Sequence, residues 1–157
     1  MVLTPSGFQD HDHAACRASV ISAVEAQCGA RGLQLTPQRR RVLEILLDSH
    51  KAMGAYDILA VLKEEGHAAQ PPVVYRALDF LSGVGCVHRI ERLNAFVACT
   101  HPAEDHEPAF MICRGCNAVA ETDAPRPLDA AARDAGFTIE TAVVEVEGLC
   151  PKCGDQP

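Results

Sequence analysis

The sequence predicts an α+β protein in two parts: a helical N-terminal part closed by a β-hairpin, and a small α/β part pinned by a metal ion. Three observations carry this division. Four segments of helical periodicity precede two short strand-like runs around a turn. Two Cys-x-x-Cys pairs, Cys113-Arg-Gly-Cys116 and Cys150-Pro-Lys-Cys153, stand in the last third of the chain. The formal charge of −7 is unevenly spread, with nine Lys/Arg against seven Asp/Glu from Arg31 to Arg92, but four against eleven from Leu93 to Pro157. Only the first part is electrically suited to face phosphate.

A chain of 157 residues fits one domain or two small ones. It has no Trp, and aromatics are 4% of residues, so each core is short of large anchors. The first predicted helix is the Ala-rich stretch Ala14 to Ala30. The second opens at Thr36-Pro37, a good N-cap followed by a good first helical residue, and places Val42, Leu43, Leu46 and Leu47 on one face. Arg39, Arg40 and Arg41 fall in its first turns, where three cations oppose the helix dipole. Either an external anion such as a DNA phosphate answers them, or they form a solvated basic turn. The third helix runs from Ala55 to Glu65, with Tyr56, Leu59 and Leu62 expected inward. The fourth follows Gln70-Pro71-Pro72 and ends near Gly83. Its Val74, Leu78 and Leu81 face the core; Tyr75, Arg76 and Asp79 face away. The runs Cys86–Glu91 and Ala95–Cys99 then flank an Arg92-Leu93-Asn94 turn. Three helices and a hairpin in this order spell a winged helix-turn-helix, whose helix before the wing enters the major groove of DNA. Tyr75 and Arg76 are therefore the candidate base or phosphate contacts, with Arg39, Arg40 and Arg41 near the backbone.

Each Cys-x-x-Cys pair sets two thiolates on a tight turn, and two pairs match the four sulfurs of a structural zinc site. The span of 33 residues between the pairs is long enough for a helix and a strand. A thiol-disulfide oxidoreductase would place one pair at a helix N-terminus, whereas Asn117 to Thr122 reads as a strand. Disulfides suit an oxidising compartment, and Met1 to Asp12 has no apolar stretch of signal-peptide length. A cytoplasmic protein is expected. No apolar run approaches the roughly 18 residues of a membrane span. Strands at Phe110, at Ala118–Thr122 and at Phe137–Glu147, with a helix at Pro127–Ala135, make β-β-α-β. Alternation at Ile139, Ala142, Val144 and Val146 marks the last strand. So small a sheet exposes an edge that a second protomer can pair with. Cys16, Cys28 and Cys86 read as buried small hydrophobes, and His11 and His13 as part of a disordered tail. There is no Ser-His-Asp order, no paired carboxylates in an apolar setting and no phosphate-binding glycine loop, so an enzyme is not expected, nor a small-molecule substrate.

The strings Leu35-Thr36-Pro37-Gln38-Arg39 and Pro71-Pro72-Val73-Val74-Tyr75-Arg76-Ala77-Leu78-Asp79-Phe80-Leu81, with the later Cys pairs, resemble the ferric uptake regulator family of bacterial metal-responsive repressors, and within it the zinc uptake regulator branch. The resemblance implies a DNA-binding domain at 1–93 (1–13 a tail), a hinge at 94–108 and a zinc-stapled dimerisation domain at 109–157. It implies a homodimer that binds a palindromic double-stranded DNA operator when zinc-loaded and represses zinc-uptake genes. An iron- or peroxide-responsive relative is the alternative. It implies two Zn²⁺ per protomer. Cys113, Cys116, Cys150 and Cys153 would hold the structural ion, and His88, Cys99, His106 and Glu121 the regulatory one. His101 competes with His106 for the hinge position; His101 and Glu107 could instead form a third site. Glu104 and Asp105 are expected to face solvent.

Overall fold

A computed structural model describes residues 6–8, 12–102, 106–123 and 126–154. The chain opens with four helices, α1 (His13–Ala30), α2 (Pro37–Leu47), α3 (Ala55–Glu64) and α4 (Pro71–Gly83), followed by a hairpin of β1 (Val87–Ile90) and β2 (Ala95–Ala98). Then come β3 (Pro108–Cys113), β4 (Val119–Asp123), α5 (Asp129–Asp134), β5 (Val144–Gly148) and α6 (Pro151–Gly154). The β-β-α-β order is as expected, but β5 is shorter than the Phe137–Glu147 stretch, because Phe137 and Ile139 stay exposed and unpaired with the sheet.

Local chemistry sets the helix ends. Asp12 Oδ1 accepts from the Ala14 and Ala15 amides at 3.0 and 3.2 Å and starts α1. Thr36 Oγ1 accepts from the Arg39 amide at 3.4 Å and Pro37 takes the first helical position, so α2 begins where its cap dictates. The four helices share one core with α4 in it through Val74, Ala77, Leu78 and Leu81. That spacing of three and four leaves Tyr75, Arg76 and Asp79 outside. Tyr56 does not point inward as expected: it is 67% exposed, and Ala55, Ile58, Leu59 and Leu62 make the buried stripe of α3. Leu81 is fully buried in this core. Leu81→Ala is expected to lower unfolding free energy by about 2–5 kcal/mol, read from denaturant midpoints, since truncation leaves a cavity as well as losing burial.

β2 pairs with β1 over Val87↔Ala98 to Ile90↔Ala95, so the hairpin ends at Ala98 and Cys99 follows directly on it. The second sheet has the order β4-β3-β5, with β3–β4 antiparallel and β3–β5 parallel. The N-terminal segment expected to be a tail is ordered at residues 6–8, as a 3-10 turn against β4. Gly7 lies so close that a Cβ there would come within 2.2 Å of the Val119 carbonyl oxygen. His11, Glu104 and Asp105 lie outside the described residues.

The two parts share a small apolar cluster. Ile90 and Val97 of the wing pack with Phe110, Ile112 and Val119 of the sheet, joined by Ala52 and Leu93. The segment between α2 and α3 stitches the same seam: Met53 pairs with Phe96 of β2, Lys51 bridges to Ala118, and the Val119 amide donates to the His50 carbonyl at 2.8 Å.

Candidate metal centres

The structure gathers eight predicted side chains into two groups. Within each group the ligand atoms lie within 4.8 Å of one another. The first group is Cys113, Cys116, Cys150 and Cys153. Parallel pairing of β3 with β5 brings Cys113 opposite Gly148, and the chain then turns into α6, which carries Cys153. The Cys150 amide donates to Cys113 Sγ at 3.3 Å, and Cys116 Sγ lies 3.8 Å from Cys150 Sγ. That separation excludes a disulfide, whose sulfurs sit about 2.05 Å apart. It equals the edge of a tetrahedron with Zn–S of about 2.3 Å, roughly 3.8 Å. All eight cysteines are free thiols. The Cys150 amide leads the groups that hold the Cys113 thiol down to about 6, while hydrogen bonds with Cys150 and Cys113 and then burial push Cys153 up to about 12. Four sulfurs this close cannot all ionise without a cation among them. Gly115 packs closely here: a Cβ would sit 3.1 Å from Cys153 Sγ, so a larger residue would press on the sulfur group.

The second group draws on both parts of the molecule. His88 comes from β1, Cys99 from the residue just after β2, His106 from the connection before β3, and Glu121 from β4. Cys99 Sγ lies 3.6 Å from both His106 Nε2 and Glu121 Oε1, and His88 Nε2 lies 3.5 Å from Glu121 Oε1. His106 Nε2 and Glu121 Oε1 are also in direct contact. Tetrahedral edges built from Zn–S of about 2.3 Å and Zn–N or Zn–O of about 2.0 Å run roughly 3.3–3.6 Å. The donor set therefore fits zinc in chemistry and in span. His88 adds a second sign of fit: its Nε2 is buried and points into the group without a hydrogen-bond partner. Glu121 Oε1, at 3.5 Å, is too distant for a sound hydrogen bond, and a buried imidazole nitrogen left so costs free energy. Burial pushes the Cys99 thiol up to about 12, with the Glu121 charge adding to it. Burial also opposes ionisation of Glu121, but the His88 and His106 imidazoles and the Thr100 amide together hold its carboxyl down to about 2.

Thr100 is the residue that sequence reasoning missed. Its amide and hydroxyl donate to Glu121 Oε2 at 3.2 and 3.4 Å, which turns Oε1 toward Cys99, His88 and His106. Only its position between Cys99 and His101 could have hinted at this. His101 is set aside from the group: its Nδ1 lies 3.0 Å from Thr100 Oγ1, while His106 occupies the ligand position. Glu107 pairs with Arg126 instead of with His101, and no third group of three donors forms among the described residues.

The arginines at the start of α2 are also answered from within. Arg40 pairs with Glu25 and with Glu44, the latter at 3.2 Å. Arg41 pairs with Glu65 and with Glu44, its Nη1 lying 3.0 Å from Glu44 Oε2. Arg39 lies 3.7 Å over the Phe80 ring and donates to the Gln34 carbonyl at 2.7 Å. Their cations are thus offset by folding, and the expected external anion is not needed to explain them. Tyr75 and Arg76, by contrast, are exposed on α4 and make no hydrogen bond or ion pair among the described residues.

A winged helix joined to a cysteine-pinned sheet by a mixed sulfur, nitrogen and oxygen donor set defines a two-domain, metal-binding protein of the winged-helix class. The chain belongs to the ferric uptake regulator family, whose pattern matches residues 30–147. It is 39% identical over 138 residues to the zinc uptake regulation protein of Escherichia coli (strain K12), covering 85% of this chain and 81% of that one. A zinc uptake regulator solved in complex with zinc and DNA superposes with a TM-score of 0.82 at 38% identity, covering 88% and 95% of the two chains. Holo XcZur superposes at 0.79 with 42% identity, and apo XcZur at 0.53 with 40%, each covering 89% of this chain and 99% of its own.

Proposed function

We propose that this chain is a zinc-responsive transcriptional repressor of zinc-uptake genes, a homodimer that binds its DNA operator when the His88–Cys99–His106–Glu121 group holds zinc. The single observation that carries this reading is that the group straddles the seam, with His88 in the wing, Cys99 directly after it, and His106 and Glu121 beyond. Bound there, zinc would supply a four-coordinate crosslink with no open position for hydrolysis. The thiolate of Cys99 favours zinc over the harder Fe²⁺, and the similar regulators named above are zinc regulators. The superposition on holo rather than apo XcZur supports taking the present arrangement as the metal-loaded one.

In this reading the winged helix reads DNA, the sheet beyond the Cys99–Glu107 connection dimerises, and Cys113, Cys116, Cys150 and Cys153 hold a second, structural zinc. His88 and Cys99 orient the wing, while Glu121, steadied by Thr100, anchors the sheet. With the seam held, the two reading heads of a dimer keep one spacing. Released, they sample many, and binding with both costs orientational entropy. Exposed apolar side chains on the second part, including Leu128, Phe137 and Val143, support a partner protomer there. No helix among the described residues is long and apolar enough to cross a membrane.

Zinc per protomer, before and after mild chelation, tests the reading together with DNA binding. Two ions are expected, one resistant and one labile, and loss of the labile ion abolishes operator binding while the dimer persists. Activation by Fe²⁺ at lower free concentration than Zn²⁺ would reject it. Arg76→Ala is expected to weaken operator binding about 5- to 30-fold and to reduce its salt dependence, measured by anisotropy titration across salt concentrations. Unchanged affinity at every salt concentration would remove Arg76 from the interface.

A further inference from the structure

Register places two carboxylates of β5 where a sheet facing another domain would carry apolar residues. Phe110 stands opposite Glu121 on β4 and opposite Glu145 on β5; Ile112 stands opposite Val119 and Glu147. Cross-strand partners share a face, so Glu121, Phe110 and Glu145 form one row, and Val119, Ile112 and Glu147 the next. This is the face that packs on the wing through Ile90 and Val97. The alternation Val144-Glu145-Val146-Glu147 thus turns its acidic side to the wing, and leaves Val146 54% exposed.

Both carboxylates are fully engaged. Glu145 accepts from the Glu91 and Arg92 amides at 2.6 and 3.0 Å, one oxygen to each. Glu147 receives a bidentate pair from Arg92, Nε at 2.8 Å and Nη2 at 2.9 Å. Both bind the 3-10 turn Glu91–Leu93 between β1 and β2. We propose that Glu145, Glu147 and Arg92 form a latch that positions the winged helix on the sheet at a second point, apart from the four-donor group. The proposal rests on the zinc-responsive reading above.

The physical reason is leverage. The four-donor group attaches the wing at β4, one edge of the sheet. The latch attaches it at β5, the other edge, two strand spacings or roughly 9.5 Å away. The seam's other contacts, the apolar cluster and the Lys51 bridge to Ala118 beside β4, lie at β3 and β4, so the latch is what fixes the wing at the β5 edge and limits its swivel there. Bidentate guanidinium–carboxylate pairing and amide–carboxylate bonds are directional, so the latch specifies an angle and not only proximity. In this structure it is closed together with the contacts that bring Cys99 and His88 to His106 and Glu121. Latch and labile zinc are therefore coupled, and each strengthens the other by the same factor.

The test uses the full-length dimer with Zn²⁺ as probe. Labile-site affinity is measured by competition with a chelating dye, without DNA. In parallel, affinity is measured for a duplex selected from random sequence by the zinc-loaded wild-type protein. Glu145→Gln with Glu147→Gln is expected to weaken labile zinc binding about 3- to 10-fold and duplex binding by a similar factor, with the thermal midpoint and the resistant zinc unchanged. The charge swap Arg92→Glu with Glu147→Arg is expected to recover part of both losses. Unchanged zinc affinity in the double Gln variant overturns the latch. So does an Arg92→Ala variant that loses duplex binding while the double Gln variant keeps it, since Arg92 would then be touching DNA directly. If the wild-type protein binds no duplex in a zinc-dependent way, the repressor reading fails, while the dye competition still decides the latch.

Discussion

Cys150→Ser is expected to unfold the second part of the molecule while leaving the helical part protected. The sheet has three strands, and β5 is held to it by a parallel ladder along β3, by the seam with the wing and by the sulfur group. Its buried apolar residues are few, and those facing the wing belong to a cluster shared across the seam. A sheet of this size does not stand on burial alone. Structural zinc contributes about 10–16 kcal/mol of apparent folding free energy in small domains, and loss of one thiolate forfeits a large share of it. The Cys150 amide also donates to Cys113 Sγ and favours its thiolate, so backbone and sulfur fail together if the turn frays. Hydrogen exchange should show β3, β4 and β5 unprotected and α2 and α4 still protected, with sedimentation reporting monomer. A folded, dimeric Cys150→Ser protein lacking its resistant zinc would instead favour a redox role for these thiols.

Cys99→Ser is expected to do the reverse: to keep fold, dimer and resistant zinc, and to lose the response to the labile one. Serine is close to cysteine in volume, so the fully buried site is not emptied. The hydroxyl is a much weaker zinc donor than a thiolate, so only two imidazoles and one carboxylate remain as good donors. The linkage between labile zinc and operator affinity, of the order of 5- to 150-fold, should collapse toward unity. Operator titrations at high and low free zinc, with metal analysis giving one ion per protomer fewer than in the unaltered protein, provide the check. A Cys99→Ser protein that still switches would place the sensing elsewhere.

Much of this was legible because it is local. Thr36 and Pro37 start α2, and Gln70-Pro71 starts α4, because caps and prolines act on their own turn of helix. The interior stripe of α4 followed from spacing alone. Paired Cys-x-x-Cys motifs announced four sulfurs, since a two-residue gap is itself a ligand geometry.

Other features depended on what lies opposite. The outward turn of Tyr56 was invisible because an aromatic on an amphipathic helix fits either the core edge or the surface. At Arg39–Arg41 an anion site and a solvated basic turn stayed equally open, because two of the carboxylates that answer Arg40 and Arg41, Glu25 and Glu65, come from distant parts of the chain. On β5 a period of two showed two faces without saying which would meet the wing, and the one that meets it proved to be acidic because Arg92 and its turn lie against it. The sequence by itself determined the elements, their order and the donors available to metal, since those follow from short-range geometry and residue chemistry. Only the tertiary structure decided that His88 and Cys99 meet His106 and Glu121 across the seam, that Thr100 steers the carboxylate, and that a second attachment lies at the far edge of the sheet. Each of these is a contact between segments distant in the chain, made by packing and register rather than by any local preference.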